Sequence, residues 1–344
     1  MSINAGELLL NDEQDEGQKI RPSNLDEFVG QKNVVDNLQI SLKAAQIRKE
    51  PLDHVLFSGP PGLGKTTLAR ILADSQKGNF HQVSAPNLKR PGDLAKILTA
   101  LGENDTLFID EIHRLTAPVE EVLYSAMEDR SIDITLAEGM GASSVQIDLP
   151  PFTLVGATTK PGSLTGPLRD RFGIHLRLEF YETGDLFKIL RRSASIWKID
   201  IVDDSLQVIA ERSRRTPRVA LHLLRRIWDF ALATRPISRN ESSIERETVI
   251  AGFQKMGIDT LGLTRQDIQF LTTIAENYSG GPVGLKPLSA VLAEDLVTLE
   301  DVIEPYLVRI AFVKRTARGR VLGRKAYGHL NLKITDQQSS LFDD

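Results

Sequence analysis

Nine residues restrict this chain more than any other stretch: Gly59-Pro-Pro-Gly62-Leu-Gly64-Lys65-Thr66-Thr67. The pattern G-x-x-x-x-G-K-[ST] lets backbone N–H groups turn inward around an anion at a helix N-terminus. Such a loop works only where a strand delivers the chain and a helix carries it away. Both neighbours fit, because the apolar run His54–Ser58 precedes it and a helical pattern, Thr67–Leu72, follows. Further short runs at Thr106–Asp110, Phe152–Ala157 and Ile174–Phe180 alternate with helical patterns. Strands alternating with helices predict an α/β fold with a parallel sheet covered on both faces.

That fold does not account for the whole chain. At 344 residues it is too long for one hydrophobic core, and two or three domains are expected. From Thr183 to Gly257 the pattern is purely helical, and Gly257–Gly262 reads as a linker. Thr264 then caps a helix carrying Ile268, Leu271 and Ile274, and two short helices lead into a basic β-hairpin, Phe312–Thr316 and a strand from Val321. Three helices and a hairpin outline a winged helix. The boundaries read 1–182, 183–256 and 257–333, with 334–344 as a disordered acidic tail.

Composition removes several classes of function. With no Cys there are no disulfides, thiolate metal sites or cysteine nucleophiles, which fits a reducing cytoplasm. No apolar run reaches 18 residues, so no membrane helix is expected. The first residues are acidic where a secretory signal is basic and then apolar. A formal net charge of −4 means that any nucleic acid must be held by local basic clusters.

Chemistry gathers at the ends of the expected strands. Lys65 would reach the β- and γ-phosphates of a nucleotide, and the Thr66 hydroxyl would ligate Mg²⁺. Leu107-Phe-Ile-Asp110-Glu111 ends an apolar strand in two carboxylates. Asp110 would hold Mg²⁺ through water, and Glu111 would polarise the attacking water. His113 has no second ligand at metal spacing and reads as a solvated or core-edge histidine. Thr158, in Gly156-Ala-Thr-Thr159, either touches the γ-phosphate or caps the next turn. Arg171, in Leu168-Arg-Asp-Arg-Phe172, is either an arginine finger or half of a surface ion pair. Arg218, after Thr216-Pro217, could report nucleotide to the helical domain.

The order GPPGLGKTT, LFIDEIHRL, GATT, LRDRFG and TPR is that of the AAA+ ATPases. Together with Lys19-Ile20-Arg21-Pro22 and Gly280-Gly-Pro-Val-Gly-Leu285, it resembles the RuvB family, bacterial motors that drive branch migration of Holliday junctions. The resemblance runs from about Ile20 to Leu330. It implies a P-loop ATPase domain, a helical lid and a winged helix, with ATP and Mg²⁺ as cofactors. It implies that Ile20, Arg21 and Tyr181 line the adenine side. Gly62, Lys65, Thr66 and Thr67 match the phosphate loop, Arg171 the finger and Arg218 the second sensor. Glu128, Asp129 and Arg130 match a stretch facing a neighbour's nucleotide in a homohexamer. Arg130 stands where the family carries an aromatic residue, Arg215 where a Gly precedes TPR, and Ala317 where the wing carries a Pro.

Lys314-Arg-Thr-Ala-Arg-Gly-Arg320, followed by Arg324-Lys325, holds six cations without a carboxylate. The cluster is either a solvated hairpin or a grip on phosphates. The preceding helix carries Glu300, Asp301 and Glu304, which argues against its entering a groove. The wing, with Arg315, Arg318 and Arg320, is then expected to hold the duplex backbone without reading sequence. Residues 132–149 alternate apolar and polar on both sides of Glu138–Gly141, the pattern of a β-hairpin with one apolar face. That face lies on its own domain or on another protein. By resemblance it docks on a RuvA-type junction-binding partner through Val145 and Ile147. The resemblance also implies four-way junction arms as substrate and a RuvC-type endonuclease as a further partner. The competing class is a nucleotide-gated DNA-binding module, initiator-like or clamp-loader-like. Glu111 and Arg171 argue against a binding-only module, which needs neither a base nor a finger, and the basic wing argues against a clamp loader, which would carry a helical collar instead.

Overall fold

A computed structural model describes residues 20–135, 144–234 and 243–333. The tip of the expected hairpin and the expected tail lie outside the described residues. Two compact units result, one ending at Asp185 and one beginning at Leu186.

The first unit is built on a five-stranded parallel sheet. Its strands are β1 (Val55–Ser58), β2 (Phe80–Ser84), β3 (Thr106–Asp110), β6 (Thr153–Thr158) and β7 (Ile174–Arg177), in the order β2-β3-β6-β1-β7. β3 and β6 are buried almost throughout, as strands covered on both faces must be, and their apolar runs made them legible. β2 was missed by the sequence reading. It lies at an edge and is half exposed, and its His81 and preceding Asn79 are tied to Asp105 instead of to an apolar partner. Leu56, Ile109 and Leu154 of the sheet pack in one cluster with Leu94, Leu98 and Leu123 of the flanking helices. Register puts Ser58 beside Thr158 and Ile109 beside Gly156, so the carboxyl ends of β1, β3 and β6 share one edge.

The hairpin is present as β4 (Ser131–Thr135) and β5 (Ser144–Asp148), with Ile132 opposite Ile147 and Ile134 opposite Val145. Its two candidate contact residues separate here. Ile132 is 1% exposed, and Ile147 is partly buried against the same core cluster, so Ile147 serves packing. Val145 is 44% exposed.

The second unit joins the helical lid to the winged helix. The lid helices are Thr183–Ile196, Asp203–Glu211, Pro217–Thr234 and Arg246–Met256, the first starting just before the unit boundary. The winged helix comprises Arg265–Asn277, Leu285–Leu292, Glu304–Arg309 and the antiparallel pair β8 (Val313–Thr316) and β9 (Gly319–Leu322). Thr264 caps the helix Arg265–Asn277 in a reciprocal box with Asp267, as its sequence predicts.

The expected linker is a joint. Asp259 accepts hydrogen bonds from the amides of Leu261 and Leu263, and a Cβ on Gly262 would meet the Arg212 carbonyl at 2.2 Å. Arg214 reaches across from the lid. Its Nε donates to the Gly262 carbonyl at 2.9 Å, and its guanidinium pairs with Asp267, which is completely buried. Arg214 and Arg215 both hold positive φ, 51° and 58°. Left-handed backbone costs a side-chain-bearing residue about 1–2 kcal/mol. The position where a Gly is usual therefore does need a left-handed residue, and the buried ion pair holds the turn in place.

Candidate nucleotide site

The phosphate loop leaves β1 and enters the helix Lys65–Gln76. Gly59, Gly62 and Gly64 take φ of 137°, 77° and 104°, values that a side chain would resist. Gly59 is closed to any Cβ, since Leu178 O would lie 2.5 Å away. The Lys65 ammonium donates to the carbonyls of Gly59 (2.8 Å) and Pro60 (2.9 Å), which fixes it inside the loop. Thr66 and Thr67 occupy the first helical turn, where the N–H groups of a helix start are available to an anion. Tyr181 ties the chain after β7 to this loop. Its ring stands against Gly30, where a Cβ would come within 2.7 Å, and its hydroxyl donates to the Leu63 carbonyl at 3.1 Å. Burial pushes the Tyr181 phenol well above its ordinary pKa, so it stays a neutral donor. Ile20 is buried and Arg21 partly so.

Asp110 and Glu111 close β3 at the same edge. Asp110 accepts a hydrogen bond from the Glu111 amide at 3.0 Å, and Glu111 itself takes φ 51°, which turns its side chain out of the strand direction. The Glu111 carboxylate is not left to solvent. Thr159 Oγ1 donates to Oε2 at 3.0 Å, and His113 Nδ1 lies 3.3 Å from the same oxygen. Thr158 faces elsewhere. Its hydroxyl is completely buried, lies 2.9 Å from His113 Nδ1 and accepts from the Lys160 amide at 3.0 Å. Of the two readings of Thr158, the capping bond is the one its side chain makes here, and the hydroxyl that meets the carboxylate belongs to Thr159. His113, read from sequence as a bystander, joins both and is only 9% exposed. The doubled Thr and the His two residues past Glu111 were the signals available, but spacing alone does not say which side chains meet.

The residues fit a magnesium nucleotide. No group of three or more metal-type side chains exists among the described residues, so a dedicated protein cage for a cation is not there. Mg²⁺ needs none, because it binds through one or two protein oxygens with phosphates and water. Thr66 and Asp110 stand in the right elements for that.

Arg171 follows the helix Gly166–Asp170 and is partly buried, its side chain 24% exposed. Its Nη1 donates to the Pro167 carbonyl at 2.9 Å, and Nη2 lies 3.0 Å from Glu128. The ion-pair reading is thus realised with Glu128, not with the adjacent Asp170, whose partner is Arg169 at 3.7 Å. Asp129 and Arg130 are exposed beside it, with Arg130 at φ 52° and its carbonyl accepting from Leu149. Arg218 belongs to the second unit, in the first turn of the helix Pro217–Thr234.

In the basic wing, Glu304, one of the acids expected to keep its helix out of a groove, is completely buried. It accepts from Arg320 Nε at 2.7 Å and Nη2 at 3.1 Å, and from Arg315 Nη2 at 2.9 Å. The helix Glu304–Arg309 presents this carboxylate to the hairpin, not to solvent. Arg315 remains half exposed at 50%, Arg320 only 21%, and Arg318 is exposed.

Comparison with known proteins covers the chain almost end to end. The model of the Holliday junction DNA helicase RuvB P-loop domain matches residues 20–178, that of the RuvB AAA lid domain 181–259, and that of the RuvB C-terminal winged helix domain 260–331. The chain is 50% identical over 331 residues to the Holliday junction branch migration complex subunit RuvB of Rickettsia africae (strain ESF-5), covering 96% of this chain and 95% of that one. To the protein of the same description in Ehrlichia ruminantium (strain Gardel) it is 51% identical over 312 residues, covering 91% and 92%. A solved structure of the Thermotoga maritima RuvB Holliday junction branch migration motor superposes with a TM-score of 0.83 at 47% identity, covering 92% of this chain and 99% of that one.

Proposed function

Because this chain belongs to the RuvB family of Holliday junction DNA helicases, we propose that it is an ATP-hydrolysing motor that moves the arms of four-way DNA junctions. The observation that carries this reading is the shared edge of β1, β3 and β6. It brings a phosphate loop, a pair of carboxylates and a hydroxyl–carboxylate contact together. Lys65 and the amides of Gly62, Thr66 and Thr67 would hold the phosphates, and Thr66 and Asp110 would hold Mg²⁺, which would supply positive charge against the phosphate oxygens. Glu111 takes the proton of the attacking water once it exchanges the Thr159 hydrogen bond for that water. Thr158 supports this edge through His113. Ile20, Arg21 and Tyr181 form the adenine side, and Arg218 passes the nucleotide state to the lid.

The finer assembly follows the family. Six copies form a ring, and Arg171 of one completes the site of the next, beside its Glu128, Asp129 and Arg130. The partners are a RuvA-type junction-binding protein and a RuvC-type endonuclease, and the place of work is the cytoplasm. No described helix is long and apolar enough to cross a membrane. Val145 is the hairpin residue left for the RuvA-type partner, since Ile147 packs inward. The test is ATP-dependent branch migration of a synthetic four-way junction with and without that partner. Val145→Asp should lose the partner's stimulation and co-migration while its ATP turnover and melting stay at parental levels. No ATP-dependent migration by the parent chain with its partner would remove the proposed function.

DNA is gripped by the wing through phosphates, with unequal duties among its arginines. Arg318→Ala should weaken duplex binding alike for all sequences and lower the salt slope by about one, without loss of stability. Arg320→Ala should lower the melting temperature as well, because buried Glu304 loses its two-pronged partner. Equal melting of the two variants, or a changed sequence preference in Arg318→Ala, would mean that the wing is organised differently.

A further inference from the structure

The guanidinium of Arg171 stands over the face of an aromatic ring. Its Cζ stands 4.4 Å from the centroid of Tyr124, on the helix Ala117–Glu128. Cations over a π face are held there electrostatically, and a planar guanidinium gains orientation as well. The ring is itself locked. Its hydroxyl donates to Glu120 at 2.7 Å and lies 3.1 Å from Thr165, and Thr165 donates to the same Glu120 oxygen at 2.9 Å. Glu120 is only 7% exposed. Thr165 also caps the helix Gly166–Asp170, at whose end Arg171 sits. The ring and the arginine are thus fastened to one frame from both sides. Burial raises the Tyr124 phenol above its ordinary pKa, so it remains a hydrogen-bond donor to Glu120.

The donors of Arg171 divide into used and unused. Nη1 serves Pro167 and Nη2 serves Glu128, whereas Nε is buried with no hydrogen-bond partner among the described residues. Glu128 is 55% exposed, so it can yield its place to another anion. A guanidinium held against a fixed ring, with an exposed carboxylate that another anion can displace, is prepared for a phosphate arriving from outside the subunit. We propose that Tyr124 is a positioning residue for Arg171, holding the finger at the height and angle at which it meets the neighbouring subunit's γ-phosphate. The proposal rests on the reading of Arg171 as a finger acting between subunits.

The experiment is steady-state ATP turnover by the full chain, with melting measured in parallel. Tyr124→Leu should lower kcat about tenfold, the size of a partly buried cation–π contact, with little change in the KM for ATP. Tyr124→Met, which keeps apolar volume without a π face, serves if the Leu variant melts early. Tyr124→Phe keeps the face and should stay close to the parent. Added Lys65→Ala protein should partly restore turnover to Tyr124→Leu, as it should to Arg171→Ala, because mixed interfaces regain a complete site. Tyr124→Leu combined with Arg171→Ala should be no slower than Arg171→Ala alone. A folded non-aromatic variant with parental kcat overturns the proposal, as does a folded Tyr124→Phe as slow as Arg171→Ala. Normal turnover by Arg171→Ala itself would instead remove the finger reading on which the proposal stands.

Discussion

Glu111→Gln is expected to lower ATP turnover by about a hundred- to ten-thousandfold, the range for loss of a general base, while ATP binding persists. The substitution is nearly isosteric, and its amide oxygen still accepts the Thr159 hydrogen bond that holds Glu111 now. Asp110 keeps its bond from the residue 111 amide, so the cation side of the site is untouched. Only the ability to take a proton disappears. Lys65→Ala marks the contrast, because it removes the cation held by the Gly59 and Pro60 carbonyls and should abolish nucleotide affinity itself. Nucleotide binding by fluorescence and phosphate release in one buffer separate the two. Turnover by Glu111→Gln within about tenfold of the parent would assign the base elsewhere.

Arg214→Ala should destabilise the second unit by about 3–5 kcal/mol, the cost of breaking a buried ion pair from one side. Asp267 would remain completely buried, still capping Thr264 but without its counter-ion. The Gly262 carbonyl would lose its donor at the same time. Arg214→Lys should restore only part of the loss, since an ammonium cannot bond Gly262 and both Asp267 oxygens at once. Urea unfolding followed at Trp197 and Trp228, both in the lid, gives the measurement. A loss below about 1 kcal/mol would mean that the joint is held by its apolar contacts and not by this pair.

The loop at Gly59 and the paired carboxylates at Asp110 could be read directly because each is a contiguous string. A backbone-built site on one strand–loop–helix leaves its whole pattern in consecutive residues. Elements held by distant partners left weaker traces. β2 carries no apolar run to mark it, because its polar residues are satisfied by Asp105, more than twenty positions away. The segment Gly257–Gly262 looked like a linker because glycines mark both free turns and close approaches, and only the Arg212 carbonyl beside Gly262 tells them apart. Glu304 stands in the sequence with Glu300 and Asp301, as one of the acids expected to keep its helix out of a groove. Its burial depends on two arginines that return 11 and 16 residues later.

By itself, then, the sequence determined the chemistry on offer: which backbone could cradle phosphates, which strand ends carried acids and hydroxyls, and where cations gathered. Local patterns do this because propensity, capping and turn chemistry act within a few residues. The tertiary structure alone decided who meets whom. Thr159 and not Thr158 touches Glu111, Ile147 packs inward while Val145 stays out, Arg320 is claimed by Glu304, and Tyr124 lies under Arg171. Each of these is a side-chain direction set by packing across elements far apart in the chain, and at that range spacing carries no information about contact.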